Sequence, residues 1–512
     1  MRSLFAQTGR YRRAAIGAAC IAICLYLALL VLQAKTRKPW NDEAASARAG
    51  FNLTDKGHTG VEFLDEKASG LPGVNRHTYY IFPLQLVCMA VWYKIAGFSL
   101  FTTRLLSILW TCGFLIAWFY VLRRLTQNAG MALLGTVFAA TDYHIMSSAS
   151  FGRYDTMVAA LGYSGYAAYL GLREKHLPLA IFAANACVAA SGATQPNGLF
   201  YFAGLWLMVL FLDRSRVGWR ELLAAAVPYA AGGALWAAYI LQDQTAFLGQ
   251  MKRNTGGRFG LLRPIDTLLA EIQTRYITGF GLGLHSVGHA SPFIRLKALP
   301  LAAYLLGLLG CLLTPSIRRN SAFRLLLTLS GAHWFMMTFC ENMKYSFYLI
   351  HMLPFFGALL SVWLVHLWRE HRVPRIMLAG AAAAVIGVQI GGVAMKIRLN
   401  DHDTVYLPAV HFLKNRARPG EMVAATSSFG FDYGFDRGLL DEDTFGYTSG
   451  KKPDFIVMEE IYDDQHHLYQ QQSPEKYKYI QDVLASYKLI YTAGEYRIYE
   501  RPEKGAAAGA GK

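Results

Sequence analysis

The sequence has few charged residues and no pattern of cysteines that would crosslink a small domain. Charged residues make up 16% of the chain, where a soluble globular protein has about a quarter, and hydrophobic residues make up 54%. The seven cysteines all lie in apolar stretches, and none follows residue 340, which fits small buried side chains rather than disulfides or a metal site. The net charge of +16 comes from short basic clusters between apolar blocks, without interleaved aromatics, so it does not indicate nucleic-acid binding.

The sequence contains long apolar runs with few or no charged residues. Residues 14–33 are uncharged and long enough to cross a hydrocarbon core, which needs about 20 residues. This run exceeds the apolar core of a signal peptide, and the following AKTRKPW is a poor cleavage site, so we expect a retained anchor. With it, ten further runs predict an all-α polytopic membrane bundle of about eleven transmembrane helices. The ten are 100–122, 130–147, 156–172, 177–194, 199–213, 221–241, 298–314, 323–340, 346–368 and 376–395.

The distribution of arginine orients this bundle. If the basic N-terminus is cytoplasmic, the arginine clusters of every alternate loop also fall on the cytoplasmic side, as the positive-inside bias predicts. Residues 81–97 are apolar enough to span, but counting them as a span would move all those clusters outside. We therefore interpret 81–97 as a helix at the outer interface, where Trp92, Tyr93 and Lys94 suit the headgroup region.

The threading predicts three extracytoplasmic segments and two main domains. Residues 1–398 are expected to form the transmembrane domain, with outer loops at 34–99 and 242–297. The composition becomes polar near residue 400, and 399–502 predicts a small soluble extracytoplasmic α/β domain. Its expected elements are helices at 405–416 and 473–487 and strands at 422–428, 453–460, KLIYTA and YRIYER. The final 503–512 is low in complexity and is predicted to be disordered.

Acidic and basic residues at the outer ends of the predicted spans are candidates for chemistry. Asp42 and Glu43 open a short Ala-rich helix after the first span, where two acids either complement the helix dipole or act on a substrate. Arg153 and Asp155 lie at the outer end of the third span and either pair with each other or join Asp42. Two acids and a cation on one face suit activation of an acceptor hydroxyl and binding of a phosphate leaving group.

Two further outer segments have weaker signals. Lys344 and Tyr345, in ENMKYSFYLIHMLP, either anchor a helix at the interface or hold a phosphate. The segment ATQPNGLFY at 193–201 contains a Pro-Gly turn between two spans, and this pattern alone indicates only a turn.

In this order, the motifs resemble the superfamily of polytopic GT-C type glycosyltransferases that use polyprenyl- or dolichyl-phosphate sugars. This superfamily includes the protein O-mannosyltransferases and the lipid A aminoarabinose transferases. The resemblance covers about residues 38–205 well and 340–360 loosely. The matching positions are the acidic pair Asp42 and Glu43, the interfacial helix with Pro83, Gly97 and Arg104, the Arg-x-Asp element Arg153 and Asp155, the turn Thr194, Pro196 and Gly198, and the segment with Lys344, Tyr345, Tyr348 and Pro354.

The chain departs from the family pattern at two places. Where the family often has a lysine before its Pro-Pro pair, this chain reads RHTYYIFP, so Arg76 or His77 is expected to supply the cation. Gln195 stands where a basic residue is frequent in the turn. Both departures concern the contacts to the donor phosphate.

The resemblance implies inverting transfer of a sugar from a polyprenyl-phosphate donor to a hydroxyl of a lipid, glycan or protein. The expected location is the outer face of a bacterial cytoplasmic (inner) membrane, with a cytoplasmic N-terminus. The implied catalytic residues are Asp42 as general base and Glu43 or Asp155 orienting the acceptor; the implied substrate-binding residues are Arg48, Arg76, His77, Arg153, Lys344 and Tyr345.

Two alternatives stay open at this point. No cofactor is expected, but the acids could instead hold a divalent cation, although the first loop contains no Asp-x-Asp motif. The rival class is a transporter or a flippase of lipid-linked glycans. Such proteins often have internal repeats and ionisable residues at mid-membrane, whereas here no clear repeat is found and the candidate acids lie at helix ends.

Overall fold

A computed structural model describes residues 9–256, 258, 263–282 and 292–502. The predicted disordered tail at 503–512 and part of the loop 242–297 lie outside the described residues.

The helices are α1 (Gly9–Thr36), α2 (Asn41–Asp55), α3 (Glu66–Ser69), α4 (Pro83–Ala96), α5 (Leu100–Thr126), α6 (Ala129–Thr141), α7 (Tyr143–Ala149), α8 (Asp155–Leu172), α9 (Leu177–Thr194), α10 (Gly198–Asp213), α11 (Trp219–Ile240), α12 (Gln244–Thr255), α13 (Pro264–Ala270), α14 (Ala298–Leu313), α15 (Pro315–Arg318), α16 (Ser321–Cys340), α17 (Leu353–Glu370), α18 (Arg375–Leu399), α19 (Leu407–Arg416), α20 (Gly430–Tyr433), α21 (Glu460–Gln472) and α22 (Pro474–Ser486).

Short irregular helices and five strands complete the chain. The π-helical segments are Glu271–Thr278 and His402–Tyr406, and the 3-10 helices are Pro292–Lys297, Ser346–His351 and Ser427–Phe429. The strands are β1 (Val423–Ala424), β2 (Leu439–Leu440), β3 (Phe455–Met458), β4 (Lys488–Ala493) and β5 (Tyr496–Glu500).

Several helices have the length and composition of membrane spans. Among the described residues, six helical segments are long and apolar enough to cross a membrane: Ala19–Thr36, Leu100–Thr126, Leu177–Thr194, Trp219–Ile240, Arg295–Leu313 and Arg375–Arg416. The chain is therefore a multi-pass helical membrane protein. The count of about eleven spans stays a prediction, because the other helices are shorter or less apolar.

The predicted span 130–147 is divided into two helices by Asp142. The carboxylate of Asp142 accepts hydrogen bonds from the backbone N–H groups of His144 (2.9 Å) and Ile145 (3.4 Å) and so caps the start of α7. Tyr304 donates a further hydrogen bond to the same side chain over 2.8 Å. A helix break of this kind follows from side-chain capping, which hydrophobicity alone does not reveal.

Helix α8 lies at the centre of the bundle and sets the position of the residues that precede it. It packs on α5 and α9, and its tyrosines Tyr163, Tyr166 and Tyr169 are fully buried. The outer helices α1, α11 and α18 instead expose apolar side chains, such as Leu25 (62% exposed) and Ile376 (80% exposed), as helices facing lipid do.

The C-terminal residues form a small sheet with the strand order β2-β1-β3-β5-β4. Strand β1 pairs in parallel with β2 and β3, while β5 pairs antiparallel with β3 and β4. The predicted strand 422–428 is only two residues long, because the chain turns into a 3-10 helix at Ser427. Strand β2 and helix α21 were not predicted, since neither has a clear periodic pattern.

The first loop and the C-terminal residues share one hydrophobic core. Val61, Phe63 and Ile81 from the first loop are buried together with Tyr406 and Phe429 from the C-terminal part. The C-terminal part is thereby fixed over the end of the bundle at which α2 begins.

Candidate active site

Arg153 joins two carboxylates at the start of helices α2 and α8. It donates from Nη1 to Asp42 Oδ2 and from Nε to Asp155 Oδ2, the latter over 2.8 Å. Asp155 is fully buried, and its second oxygen has no hydrogen-bond partner, whereas the side chain of Asp42 is 52% exposed. Of the two acids, Asp42 is therefore the one that a substrate can reach.

The guanidinium of Arg153 is held between aromatic rings. Its central carbon lies 3.9 Å from the ring centre of Phe347 and 4.7 Å from that of Trp40. Burial alone would lower the pKa of Arg153, but the carboxylates of Asp155 and Asp42 raise that pKa well above its ordinary value. The site thus contains a permanent, oriented cation beside Asp42.

Glu43 points away from Asp42 into a closed ion pair with Arg104. Both residues are fully buried, and Arg104 donates to the two Glu43 oxygens over 2.8 and 2.9 Å. The backbone N–H of Gly152 donates to Glu43 over 2.7 Å and that of Trp40 over 3.2 Å. A Cβ atom at Gly152 would come within 2.3 Å of Thr103, so the close approach requires glycine.

Arg104 also connects this pair to the end of α1. It donates to the carbonyl oxygens of Ala34 (2.6 Å), Arg37 (2.7 Å) and Lys38 (3.0 Å). The Glu43–Arg104 pair therefore fixes the start of α2 against α1 and against the segment that carries Arg153.

A cavity of about 270 Å³ opens in front of Asp42. Its polar lining comes from six separate parts of the chain: the start of α2, the segment before α4, the segment before α8, the turn after α9, the end of α12 with the residues after it, and the C-terminal residues. The lining residues are Asn41, Asp42, Ala45, Ser46, Leu64, Leu71, Tyr80, Ile81, Phe82, Tyr154, Thr194, Gln195, Pro196, Asn254, Arg258, Ser427 and Asp441. The turn at 193–201, which the sequence alone marked only as a turn, thus contributes to the same cavity as Asp42.

Arg258 is the one arginine or lysine among the described residues that line this cavity. Its guanidinium donates to Asn254 over 2.8 Å, and among the described residues it forms no ion pair. Sequence reasoning missed this residue, because it lies in a long loop of irregular composition. The only available signal was the local cluster of glycine and arginine in RNTGGRFGLLR.

Asp441, in the C-terminal part, is the second carboxyl group that lines the cavity, after Asp42. Its oxygens accept hydrogen bonds from Ser427 N (2.8 Å) and from the Tyr462 hydroxyl (2.9 Å). Burial raises the pKa of Asp441 to about 6. This group therefore exchanges its proton near neutral pH.

Lys344 lies in a separate buried ion cluster and does not line the cavity. Its Nζ lies 3.1 Å from Glu271 and donates to the carbonyl oxygens of Glu341 (2.7 Å) and Thr338. Arg275 pairs with the same Glu271 over 2.5 Å and with Glu341. The cation of Lys344 is thus already neutralised by protein carboxylates.

Tyr345 lies at the edge of the site. Its ring stacks on Phe347 with the ring centres 4.9 Å apart, and it is 42% exposed. Phe347 in turn contacts Arg153, so the ring of Phe347 links Tyr345 to Arg153.

The three remaining predicted residues lie elsewhere. Arg48 is buried and pairs with Glu62 (3.3 Å) and Asp436. Arg76 is exposed, and the ring of His77 stacks near Tyr79 with centres 5.6 Å apart. None of the three lines the cavity, so the structure brings together Asp42, Arg153 and Asp155 from the predicted set.

An apolar groove of about 410 Å³ adjoins this cavity between α9, α10 and α11. Small residues such as Gly192, Ala193, Gly232 and Gly233 line it beside Phe202 and Trp236, and Pro196 lines both spaces. Pro196 therefore lies between the apolar groove and the polar cavity.

The fold is similar to that of solved membrane glycosyltransferases. The structure of ArnT from Cupriavidus metallidurans bound to undecaprenyl phosphate is 14% identical, with a TM-score of 0.61, over 95% of this chain and 98% of that chain. The apo oligosaccharyltransferase from Archaeoglobus fulgidus is 12% identical, with a TM-score of 0.51, over 85% of this chain and 69% of that chain. No protein-family model matches the sequence, and no curated protein matches it. The chain has the fold of the GT-C type glycosyltransferases.

Proposed function

We propose that the chain transfers a sugar from a polyprenyl-phosphate donor to an acceptor hydroxyl at the outer face of a bacterial inner membrane. The observation that carries this proposal is the joining of two spaces at Pro196. One is a polar cavity with an accessible carboxylate, Asp42, and a cation, Arg258, that forms no ion pair within the described part of the chain; the other is an apolar groove. A lipid-linked sugar phosphate has the same division into polar and apolar parts.

In this proposal Arg258 binds the donor phosphate and the groove takes the first isoprene units. An arginine matches phosphate oxygens with a planar set of N–H donors, and among the described residues only Asn254 accepts from the Arg258 guanidinium. Since the phosphate gains negative charge as the sugar leaves, a fixed cation stabilises the transition state more than the ground state.

Asp42 acts as the general base. The acceptor oxygen forms a bond to the anomeric carbon while the bond from that carbon to the phosphate oxygen breaks, and its electron pair leaves with the phosphate. The acceptor proton passes to Asp42, and displacement from the opposite side inverts the anomeric centre. The lipid phosphate is a weak base, so the leaving group needs charge stabilisation rather than a strong acid.

Arg153 and Asp155 position this base. Arg153 donates to Asp42, and Asp155 and the two aromatic rings fix the orientation of Arg153. A divalent cation between the two carboxylates would have to displace the guanidinium that already joins them, so we propose transfer without a metal ion. Glu43 is assigned to holding α2 in place rather than to the acceptor.

The test is to incubate the purified full chain in nanodiscs with a panel of polyprenyl-phosphate sugars and acceptor lipids, glycans or peptides. Mass spectrometry should detect a glycosylated acceptor together with free polyprenyl phosphate, and the Asp42→Asn variant should yield neither above background. If instead a labelled donor crosses the bilayer with its sugar bond intact, the protein is a flippase and the proposal is overturned.

A further inference from the structure

The rings of Trp40 and Phe347, which pack on Arg153, line a second cavity of about 350 Å³. It is formed where α1 and α18 end, beside α7 and the start of α21. Arg153 lies against the rings of Trp40 and Phe347 and donates to Asp42, which lines the first cavity. These side chains therefore connect the lining of the second cavity to Asp42.

Gln33 on α1 lines this second cavity, and its side-chain amide has no hydrogen-bond partner among the described residues. The residue is 1% exposed, and the absence holds for both its Oε1 and its Nε2. A buried amide normally has partners, because leaving it unpaired costs about 1–3 kcal/mol. The amide therefore indicates a ligand that both donates and accepts hydrogen bonds.

The charges that line the cavity are mixed. Arg37, Lys38 and Lys396 supply cations, and Asp401 and Glu460 supply carboxylates. Lys396 forms no ion pair among the described residues, whereas Lys38 pairs with Glu495 over 2.7 Å. A simple anion would be repelled by the two carboxylates, and a simple cation by the lysine and arginine side chains. Hydroxyl groups suit the mixture, since each one donates and accepts.

The surroundings of the cavity are aromatic and lipid-facing. The rings of Trp40, Phe151 and Phe347 line it, and aromatic faces pack well against the C–H faces of a sugar ring. Leu32 and Met395, the chain neighbours of Gln33 and Lys396, are 47% and 45% exposed. An occupant with acyl chains would place them against this apolar surface.

We propose that the second cavity binds the saccharide headgroup of a membrane glycolipid, at a site separate from the cavity that Asp42 lines. The proposal rests on the buried amide of Gln33, the mixed charges and the aromatic lining, and it does not depend on the proposed function.

Binding is tested by native mass spectrometry of the full chain in detergent with three lipids of equal acyl chains: a dihexosyl diacylglycerol, phosphatidylethanolamine and phosphatidylcholine. The glycolipid should be retained in preference to both phospholipids. Gln33→Leu should reduce that preference roughly tenfold, the effect of two neutral hydrogen bonds, without destabilising the fold. Lys396→Gln should reduce the preference for the glycolipid less, because the side chain of Lys396 is exposed.

The matched control is Gln85→Leu, which changes another buried glutamine with an unpaired carbonyl, on α4 and away from both cavities. It should leave the preference intact. Preferred retention of phosphatidylethanolamine would make this a zwitterionic headgroup site and overturn the proposal. An unchanged preference in Gln33→Leu would overturn it too, because the amide would then be paired with water.

Discussion

Replacing Arg258 tests the assignment of the donor phosphate to a residue that sequence reasoning missed. Arg258→Ala removes the one cation that the described lining of the cavity contains. Because the side chain forms no ion pair with any described residue, the substitution leaves no carboxylate of that part of the chain without its partner. The effect should therefore appear in donor binding and turnover rather than in stability.

The size of the effect follows from the surroundings of Arg258. A hydrogen bond to a charged group contributes about 1.5–3 kcal/mol. Arg258 is partly exposed and one N–H group is engaged by Asn254, so the lower end of that range applies to the ground state. This predicts a donor Kd about 10-fold higher, since 1.4 kcal/mol is tenfold. Charge developing on the leaving phosphate should lower kcat/KM by about 100-fold.

The assay measures the Kd for a short-chain polyprenyl phosphate by calorimetry and kcat/KM for the sugar donor. Arg258→Lys should fall between the wild type and Arg258→Ala, because lysine keeps the charge but loses the planar set of donors. Arg253→Ala is the control, since Arg253 lies in the last turn of α12, is exposed and does not line the cavity. Wild-type Kd and kcat/KM in Arg258→Ala would refute the assignment.

Three further results are expected. Glu43→Gln leaves Arg104 buried with an incomplete partner and should lower unfolding stability by about 3–5 kcal/mol, measured as a lower Tm; an unchanged Tm would contradict the positioning role. Lys344→Ala should also lower the Tm, because it removes one of the two cations that pair with Glu271, but a donor Kd more than about threefold weaker than wild type would show that Lys344 binds phosphate after all. Burial raises the pKa of Glu459 to about 7, above its unfolded value of about 4.3, so its contribution to stability is complete at low pH and is lost as pH rises through 7. The Tm of the wild type should fall between pH 5 and 8, and the Tm of Glu459→Gln should fall less. An equal dependence of Tm on pH in both proteins would exclude Glu459 as the cause of the fall.

The sequence was sufficient to predict that the candidate residues meet at one end of the bundle, but not how their side chains are oriented; the side of the membrane stays a prediction. Alternation of arginine-rich loops placed Asp42, Arg153 and Asp155 on one face, and the structure brings these three into contact. Neighbouring positions on a helix point about 100° apart. Which of Asp42 and Glu43 faces the cavity was therefore decided by the packing of Arg104, far away in the chain.

Residues in long loops and at helix breaks were beyond the reach of the sequence patterns. Lys344 matched a family motif, yet its charge is neutralised by Glu271 from a loop about 70 positions earlier. Arg258 lies in that same loop and has no periodic neighbours to place it. Asp142 divides an apolar run into two helices through capping, which a hydrophobicity profile does not contain.

The central claim is that Asp42 takes the proton of the acceptor hydroxyl. The decisive measurement compares kcat of wild-type protein and Asp42→Asn at saturating donor, with the donor Kd determined in parallel. The asparagine has nearly the same size, and its carbonyl can still accept from Arg153, but its amide cannot take a proton. We predict a fall in kcat of at least about 100-fold with the donor Kd within about threefold of wild type. A variant that keeps more than about a tenth of wild-type kcat would contradict the account, since an acid that serves only the helix dipole contributes well under 1 kcal/mol.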